Sequence, residues 1–186
     1  MLSTLSLLTA MTLPAHAERY AFDDTTGAVG YHMVATLHEI DGQAPNFSGE
    51  LFIGKGGDHT GTLTVQTPAM TTGLSVRDDR MHEYVLAVTE YPTLTFKMGA
   101  IGGDVAGLDS GQGSGQVLLR GQLTIRTSTR DVEIPATYTW QGDKVVLEGR
   151  YDMKWTSFGL PDPSIMISTL YPDMTVNFKV TARPAP

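Results

Sequence analysis

The chain has 186 residues, a hydrophobic fraction of 41%, a formal net charge of −7 and no cysteine. This length and composition suit one globular domain with a sizeable core. The acidic balance disfavours nucleic acid as a partner, because phosphate backbones attract clusters of Lys and Arg. The lack of cysteine excludes disulfides, thiolate catalysis and iron–sulfur clusters.

The N-terminus has the pattern of an export signal. Residues 2–13 form a mostly apolar run that is too short to cross a membrane as a helix. Pro14 and then Ala15-His16-Ala17 follow, and the last three residues match the A-x-A cleavage pattern. No Lys or Arg precedes the run, and a buried N-terminal helix is the alternative. Charged, periodic sequence begins abruptly at Glu18, so we expect cleavage after Ala17, a single domain over residues 18–186 and no stable membrane insertion.

Apolar and polar residues alternate in a series of segments, which is the pattern of strands with one buried face. Alternation predicts strands over residues 20–40, 47–53, 60–67, 91–98, 116–125, 132–140 and 145–155, and around 174–180. In the hairpin with its turn at residues 127–130, Leu123 and Ile125 are expected to face Val132 and Ile134. About eight antiparallel strands indicate a closed barrel or a sandwich.

Two segments interrupt the alternation. Leu74, Met81, Val85 and Val88 recur at helical spacing and predict a helix over residues 76–88. Pro92 follows, and a proline suits the first residue of a strand because it has no N–H to donate. Residues 99–115 are rich in glycine and predict a flexible loop.

The segment Tyr91-Pro92-Thr93-Leu94-Thr95-Phe96, preceded by Arg77-Asp78, carries a family likeness. It resembles the YceI-like periplasmic polyisoprenoid-binding family, which places an Arg-Asp pair and an apolar helical stretch before a Tyr-Pro-Thr-Ile/Leu-Thr-Phe strand. The hairpin over residues 121–134 and the motif over residues 155–160 are similar to the family's pattern too, in the same order and at similar spacing. The family's Asp-x-x-His-Ser opening is replaced here by residues 23–27, and its aromatic pair by Val85-Leu86.

The resemblance implies an all-β fold: an extended, lipocalin-like, antiparallel eight-stranded β-barrel with a short helical insertion. It implies a location in the periplasm and a long apolar ligand inside the barrel, such as a polyisoprenoid or an isoprenoid quinone. It is also compatible with a homodimer. The residues expected to contact the ligand are Tyr31, Met33, Leu51, Leu63, Leu94, Phe96, Leu123, Ile125, Met153, Trp155 and Phe158.

A few polar atoms are candidates for holding a ligand head group. They are the hydroxyls of Tyr31 and Tyr151 and the indole N–H of Trp155. The corner over residues 158–161 is open to two interpretations, a flap at the mouth of the barrel or a plain turn. Arg77 and Asp78 are interpreted as an anchor for the helix rather than as ligand contacts.

Alternating apolar faces are also the pattern of an ordinary filled core. The alternative is therefore a structural or protein-interaction barrel without a ligand. His32, His38, His59 and His82 form neither His-x-His nor His-Glu-x-x-His, and the chain has no Gly-x-Ser-x-Gly elbow. We therefore expect no metal site, no catalytic residues, no enzyme activity and no cofactor apart from a bound isoprenoid or quinone-type lipid.

Overall fold

The computed structural model describes residues 18–186, and the predicted signal peptide over residues 1–17 lies outside them. Ten antiparallel strands form one sheet. They are β1 (Glu18–Asp23), β2 (Gly27–Ala35), β3 (His38–Gln43), β4 (Phe47–Ile53), β5 (His59–Gln66), β6 (Thr93–Gly103), β7 (Ser114–Ile125), β8 (Ser128–Gln141), β9 (Lys144–Lys154) and β10 (Leu170–Pro184).

Eight of these strands close into a barrel. The strand order is β1-β4-β5-β6-β7-β8-β9-β10, and β1 then pairs with the C-terminal end of β10, where Tyr20 lies opposite Pro184. The other two strands form the β2–β3 hairpin, which extends the sheet because β2 pairs with the remainder of β10. The predicted antiparallel eight-stranded barrel is thus confirmed.

The single strand predicted over residues 20–40 is wrong, because the chain breaks twice there. At the first break, the Asp23 carboxylate accepts hydrogen bonds from the Thr25 N–H and hydroxyl, which turns the chain between β1 and β2. At the second break, Thr36 and Leu37 connect β2 to β3, and the Thr36 N–H donates to the Thr169 carbonyl at 2.9 Å. That partner comes from a distant segment, so local alternation does not reveal the turn.

The predicted register of the β7–β8 hairpin is also wrong. The turn consists of residues 126–127, Ile125 lies opposite Ser128, and Leu119 faces Ile134. Arg126 adopts a left-handed backbone conformation with φ of 53°. Its guanidinium donates to the Val85 carbonyl at 3.2 Å and lies 5.2 Å from the centre of the Tyr91 ring. These contacts with another segment offset the conformational cost of the turn.

The helix predicted over residues 76–88 is confirmed in outline. Helix α1 (Ser75–Arg80) continues as a π-helical turn over Met81–Leu86, and we call the two together the helical segment. Strand β6 begins at Thr93, so Pro92 directly precedes the strand rather than being its first residue. None of the helices in residues 18–186 has the length and hydropathy of a membrane-crossing segment.

The flexible loop predicted over residues 99–115 is wrong. Strand β6 continues to Gly103, a short helix α2 (Ala106–Ser110) follows, and β7 begins at Ser114. The reason is Leu108, whose side chain is 1% exposed and packs into the core. One well-buried apolar side chain orders a segment that its composition assigns to a loop.

Because the strands are antiparallel, the connections between them gather at two ends of the barrel. At the plugged end lie α2 and the β4–β5 and β8–β9 turns. At the flap end lie the β2–β3 turn, the helical segment and the connection between β9 and β10 over residues 155–169, which we call the flap. Hydrogen bonds join these three segments: Arg77 Nη1 lies 3.2 Å from His38 Nε2, and Arg80 Nε donates to the Pro163 carbonyl at 2.9 Å.

Candidate ligand-binding cavity

The inward faces of the strands enclose a cavity of about 190 Å³. Its surface is apolar, and all eight strands of the barrel contribute to it, together with β2, the helical segment and the flap. Strands β9 and β10 contribute several side chains each, because every second residue of a strand points to the same face. The interior of the barrel is therefore not completely filled.

Nine of the eleven residues predicted from the sequence line this cavity: Tyr31, Leu51, Leu63, Leu94, Phe96, Leu123, Ile125, Met153 and Trp155. Met33 lies outside the wall, opposite Met174 in the β2–β10 pairing, and packs against the core. Phe158 does not line the cavity and is buried in the core. Contact of any of these eleven residues with a ligand remains a prediction.

The cavity wall also contains residues that the sequence reasoning missed. Several continue the same alternation: Val29 on β2, and Val176 and Phe178 on β10. Alternation could have identified them, because they lie on the same face of the sheet as predicted residues of the same strand or of the strand paired with it. Leu86 and Leu160 also line the cavity, and no periodic signal identifies them, because they come from the helical segment and the flap.

The polar groups predicted to hold a head group differ in their availability. The Tyr31 hydroxyl donates to the Thr71 carbonyl at 3.1 Å and lies 3.3 Å from the Met81 sulfur. Burial raises the pKa of Tyr31, so its hydroxyl stays protonated. The Trp155 indole N–H donates to the Tyr171 carbonyl at 2.9 Å. Both groups are therefore engaged by the protein itself.

Tyr151 differs from these two residues. It lines the cavity, and burial raises the pKa of its hydroxyl. Among residues 18–186 the structure shows no hydrogen bond between this hydroxyl and another protein group. The Tyr151 phenol belongs to a residue of the cavity wall and has no protein partner, so it is a candidate for one hydrogen bond with a ligand.

Arg77 and Asp78 form the anchor that the sequence suggests. The Asp78 carboxylate accepts hydrogen bonds from the Thr71 hydroxyl at 2.6 Å and from the Thr72 N–H at 2.7 Å, and Arg77 Nε donates to the Thr72 hydroxyl at 2.7 Å. Burial by itself raises the pKa of Asp78, but these hydrogen bonds outweigh it and lower that pKa. Since the Thr71 carbonyl accepts the Tyr31 hydroxyl, the anchor fixes the helical segment to the cavity wall.

The plugged end of the barrel is tightly packed. Leu108 and Tyr138 are each 1% exposed, and the wholly buried His59 imidazole lies 2.9 Å, Nε2 to Oδ1, from the Asp109 carboxylate of α2. Nowhere in residues 18–186 do three or more His, Asp or Glu side chains come together in a way that could hold a metal ion.

Comparison with known proteins identifies the family. The family model described as the YceI-like domain matches residues 20–182. The chain therefore belongs to the YceI-like family, and the resemblance carried by the Arg-Asp pair and the Tyr-Pro strand is confirmed. No curated protein matches the chain.

Solved structures share the fold at low sequence identity. The Burkholderia cenocepacia protein BcnA superposes with a TM-score of 0.74 at 17% identity, over 86% of this chain and 98% of that one. A polyisoprenoid-binding domain from Saccharophagus degradans, implicated in plant cell wall breakdown, gives 0.73 at 13% identity, over 91% and 99%. A Campylobacter jejuni YCEI protein gives 0.67 at 17% identity, over 81% and 88%.

Proposed function

We propose that this chain is a periplasmic binding or carrier protein that holds a long apolar chain, such as a polyisoprenoid or an isoprenoid quinone, inside its barrel. The observation that carries the proposal is the apolar cavity enclosed by the barrel wall. Membership of the YceI-like family supports it, as does the similar fold of a polyisoprenoid-binding domain. Both comparisons point to binding rather than catalysis.

The size of the cavity bears on how much of a ligand it accepts. A cavity of roughly 150 Å³ accommodates a molecule the size of benzene. The 190 Å³ seen here therefore matches a short stretch of isoprenoid chain, and a longer chain requires lining side chains to move. Met98, Met153 and Met174 lie in the wall, and methionine adapts to irregular shapes because it is unbranched and flexible.

The energetics favour a ligand with a long apolar portion. Each buried methylene group contributes about 0.8 kcal/mol, so roughly ten contribute about 8 kcal/mol before the cost of ordering the ligand. The Tyr151 hydroxyl then selects a ligand that carries a hydrogen-bonding oxygen, for example a prenyl alcohol or a quinone carbonyl. In this proposal the apolar wall provides the affinity for the ligand, and the Tyr151 hydroxyl determines how the ligand is oriented.

A variant that fills the cavity tests the proposal. Leu63 points into the cavity from β5, so Leu63→Trp places a large ring in the space that the ligand needs. Thr60→Trp is the matched control, because Thr60 is exposed on the same strand. Calorimetric titration with geraniol and with a short-chain isoprenoid quinone should show binding to the wild type and to Thr60→Trp, and a loss of about tenfold or more in Leu63→Trp.

Two outcomes contradict the proposal. If wild-type protein takes up neither ligand, the chain is better described as a structural or interaction barrel without a ligand. If Leu63→Trp remains folded and binds both ligands as tightly as the wild type does, the ligand lies elsewhere than in this cavity.

A further inference from the structure

The large hydrophobic side chains that are exposed in residues 18–186 are confined to the flap end and the strand ends beside it. The main group, which we call the apolar rim, comes from the β2–β3 turn, the helical segment with the residue before it, and the flap. Val34, Tyr84 and Tyr171 are exposed in the same region. The rim consists of Leu37, Leu74, Val76, Ile165, Met166 and Ile167.

The rim residues of the flap are exposed on an ordered turn. Ile165 and Ser168 exchange two backbone hydrogen bonds of 3.0 Å each, which places Met166 and Ile167 at the tip. Met166 is fully exposed and Ile167 is 75% exposed. The base of the turn is fixed, because the Ser164 hydroxyl accepts from the Leu170 N–H at 2.9 Å. Exposed apolar side chains on such a fixed turn indicate an interaction surface rather than a frayed loop.

The rim is continuous with the candidate ligand-binding cavity. The same flap contributes Trp155 and Leu160 to the cavity wall, and the helical segment contributes Leu86. A long apolar ligand resides in lipid rather than in water, because water disfavours its apolar surface. Contact between this end of the barrel and lipid therefore brings the cavity next to the phase that contains such a ligand.

Shape and charge favour a fluid lipid surface over a rigid partner. The rim is a set of small protrusions from separate segments, which acyl chains can surround without a matching groove. Charges near the rim are mixed, since Arg77 and Arg80 are accompanied by Asp79, Glu83 and Asp162. The net charge of −7 gives no attraction to anionic lipid.

We propose that the apolar rim docks the flap end on the surface of a lipid bilayer, with Met166 and Ile167 inserted among the acyl chains. The attraction is apolar, so the bilayer can be zwitterionic. The choice of a bilayer as the occupant rests on the proposed function, because an apolar ligand gives the protein a reason to meet lipid. Bilayer docking and ligand binding are nevertheless measured separately.

Sedimentation with phosphatidylcholine vesicles tests the docking. The wild type should pellet with the vesicles, at similar levels with and without added anionic lipid and in low and high salt. The double variant Met166→Ser/Ile167→Ser should bind the vesicles about tenfold or more weakly, because two side chains no longer enter the apolar layer. The matched control Lys55→Ser/Gln112→Ser alters two exposed residues near the plugged end and should bind as the wild type does.

Titration with geraniol, which needs no vesicles, separates this proposal from the proposed function. The rim variant should bind geraniol as the wild type does. Wild-type protein that binds geraniol but does not pellet with vesicles overturns the docking and leaves the proposed function intact. Protein that pellets through its rim but binds no isoprenoid supports the docking and overturns the proposed function.

A second readout identifies the occupant of the rim. In Met166→Trp, the added indole should be quenched by brominated phosphatidylcholine, whereas in Gln112→Trp it should not. If light scattering instead shows that the wild type is a dimer and that Met166→Ser/Ile167→Ser is a monomer, a second copy of the chain covers the rim, and docking on a bilayer is wrong.

Discussion

The two ends of the barrel are built from similar parts but differ in what they bury. Each has a short helical element and strand connections. At the plugged end the apolar residue of the helix, Leu108, is driven into the barrel and is 1% exposed. At the flap end Leu37 is 70% exposed, as are other large apolar side chains to varying degrees.

This difference indicates which end of the barrel contributes more to folding stability and at which end a ligand would enter and leave. The plugged end holds its segment by apolar burial, which contributes strongly to the free energy of folding. The flap end also buries apolar side chains, such as Leu86 and Phe158, but it leaves others exposed and adds polar contacts such as that of Arg80. The helical segment and the flap form part of the cavity wall through Leu86 and Leu160, so we expect a ligand to enter at the flap end.

The largest effect is expected at the plugged end. Leu108→Ala should lower the free energy of unfolding by about 2–5 kcal/mol, because it leaves a cavity in a packed site. The matched control Leu37→Ala removes the same atoms at the flap end and should change the free energy of unfolding by less than about 0.5 kcal/mol. Urea denaturation measures both variants. Equal losses would show that the two ends do not differ in the way the structure indicates.

The next effect concerns the anchor of the helical segment. Asp78→Ala should lower the free energy of unfolding by about 2–4 kcal/mol, because it removes hydrogen bonds to a charged acceptor and leaves their donors unpaired. Asp79→Ala, which alters the exposed neighbour, should be nearly neutral.

The contribution of Asp78 should depend on pH in one direction. The pKa of Asp78 in the folded state is lowered from its ordinary value of 3.8, so its stabilisation is fully present above pH 3.8 and is lost as the pH falls through the folded-state value. The difference between wild type and Asp78→Ala should therefore shrink in acid. A difference that grows on acidification would contradict the hydrogen-bonding role assigned to this carboxylate.

A smaller effect is expected inside the cavity. Tyr151→Phe should weaken the binding of a prenyl alcohol or isoprenoid quinone about three- to tenfold, which corresponds to one hydrogen bond. Binding of a pure isoprenoid hydrocarbon should not change. Tyr31→Phe is the control, because its hydroxyl is engaged by Thr71 and should not discriminate between the two kinds of ligand. If Tyr151→Phe weakened the binding of the alcohol and of the hydrocarbon equally, the Tyr151 hydroxyl would not be holding the ligand head group.

The smallest effect on stability is expected at the flap tip. Met166→Ser/Ile167→Ser should change the free energy of unfolding by no more than about 0.5 kcal/mol, because the two side chains bury little in the folded protein. Thermal and urea unfolding measure this change. A loss as large as that of Leu108→Ala would mean that the tip packs against the barrel, and the contrast between the ends would disappear.

The family resemblance predicts the barrel, which strand alternation alone does not distinguish from a sandwich. Alternation predicts nine residues of the cavity wall, because it assigns inward residues without knowledge of their partners. It places Leu63, Phe96 and Met153 correctly in the wall on that basis. It fails where distant contacts decide the local structure. The turn at Thr36 depends on Thr169, and the tight β7–β8 turn on contacts of Arg126 with Val85 and Tyr91.

The remaining errors concern segments whose composition is misleading. Glycine-rich residues 99–115 suggest a flexible loop, but burial of Leu108 orders α2 within them. The contributions of Leu86 and Leu160 to the wall depend on how the helical segment and the flap fold over the barrel. The helical spacing of Leu74, Met81, Val85 and Val88 does not include Leu86, and the flap has no regular spacing of apolar residues.

The most direct test of the central claim is mass spectrometry of an organic extract of the protein. The protein would be purified from a bacterial periplasm without detergent, denatured and extracted, with Leu63→Trp prepared in parallel. The account predicts a near-stoichiometric long-chain isoprenoid, quinone or related lipid from the wild type and much less from Leu63→Trp. An extract without lipid, together with no uptake of added isoprenoid quinone, would contradict a ligand-carrying barrel.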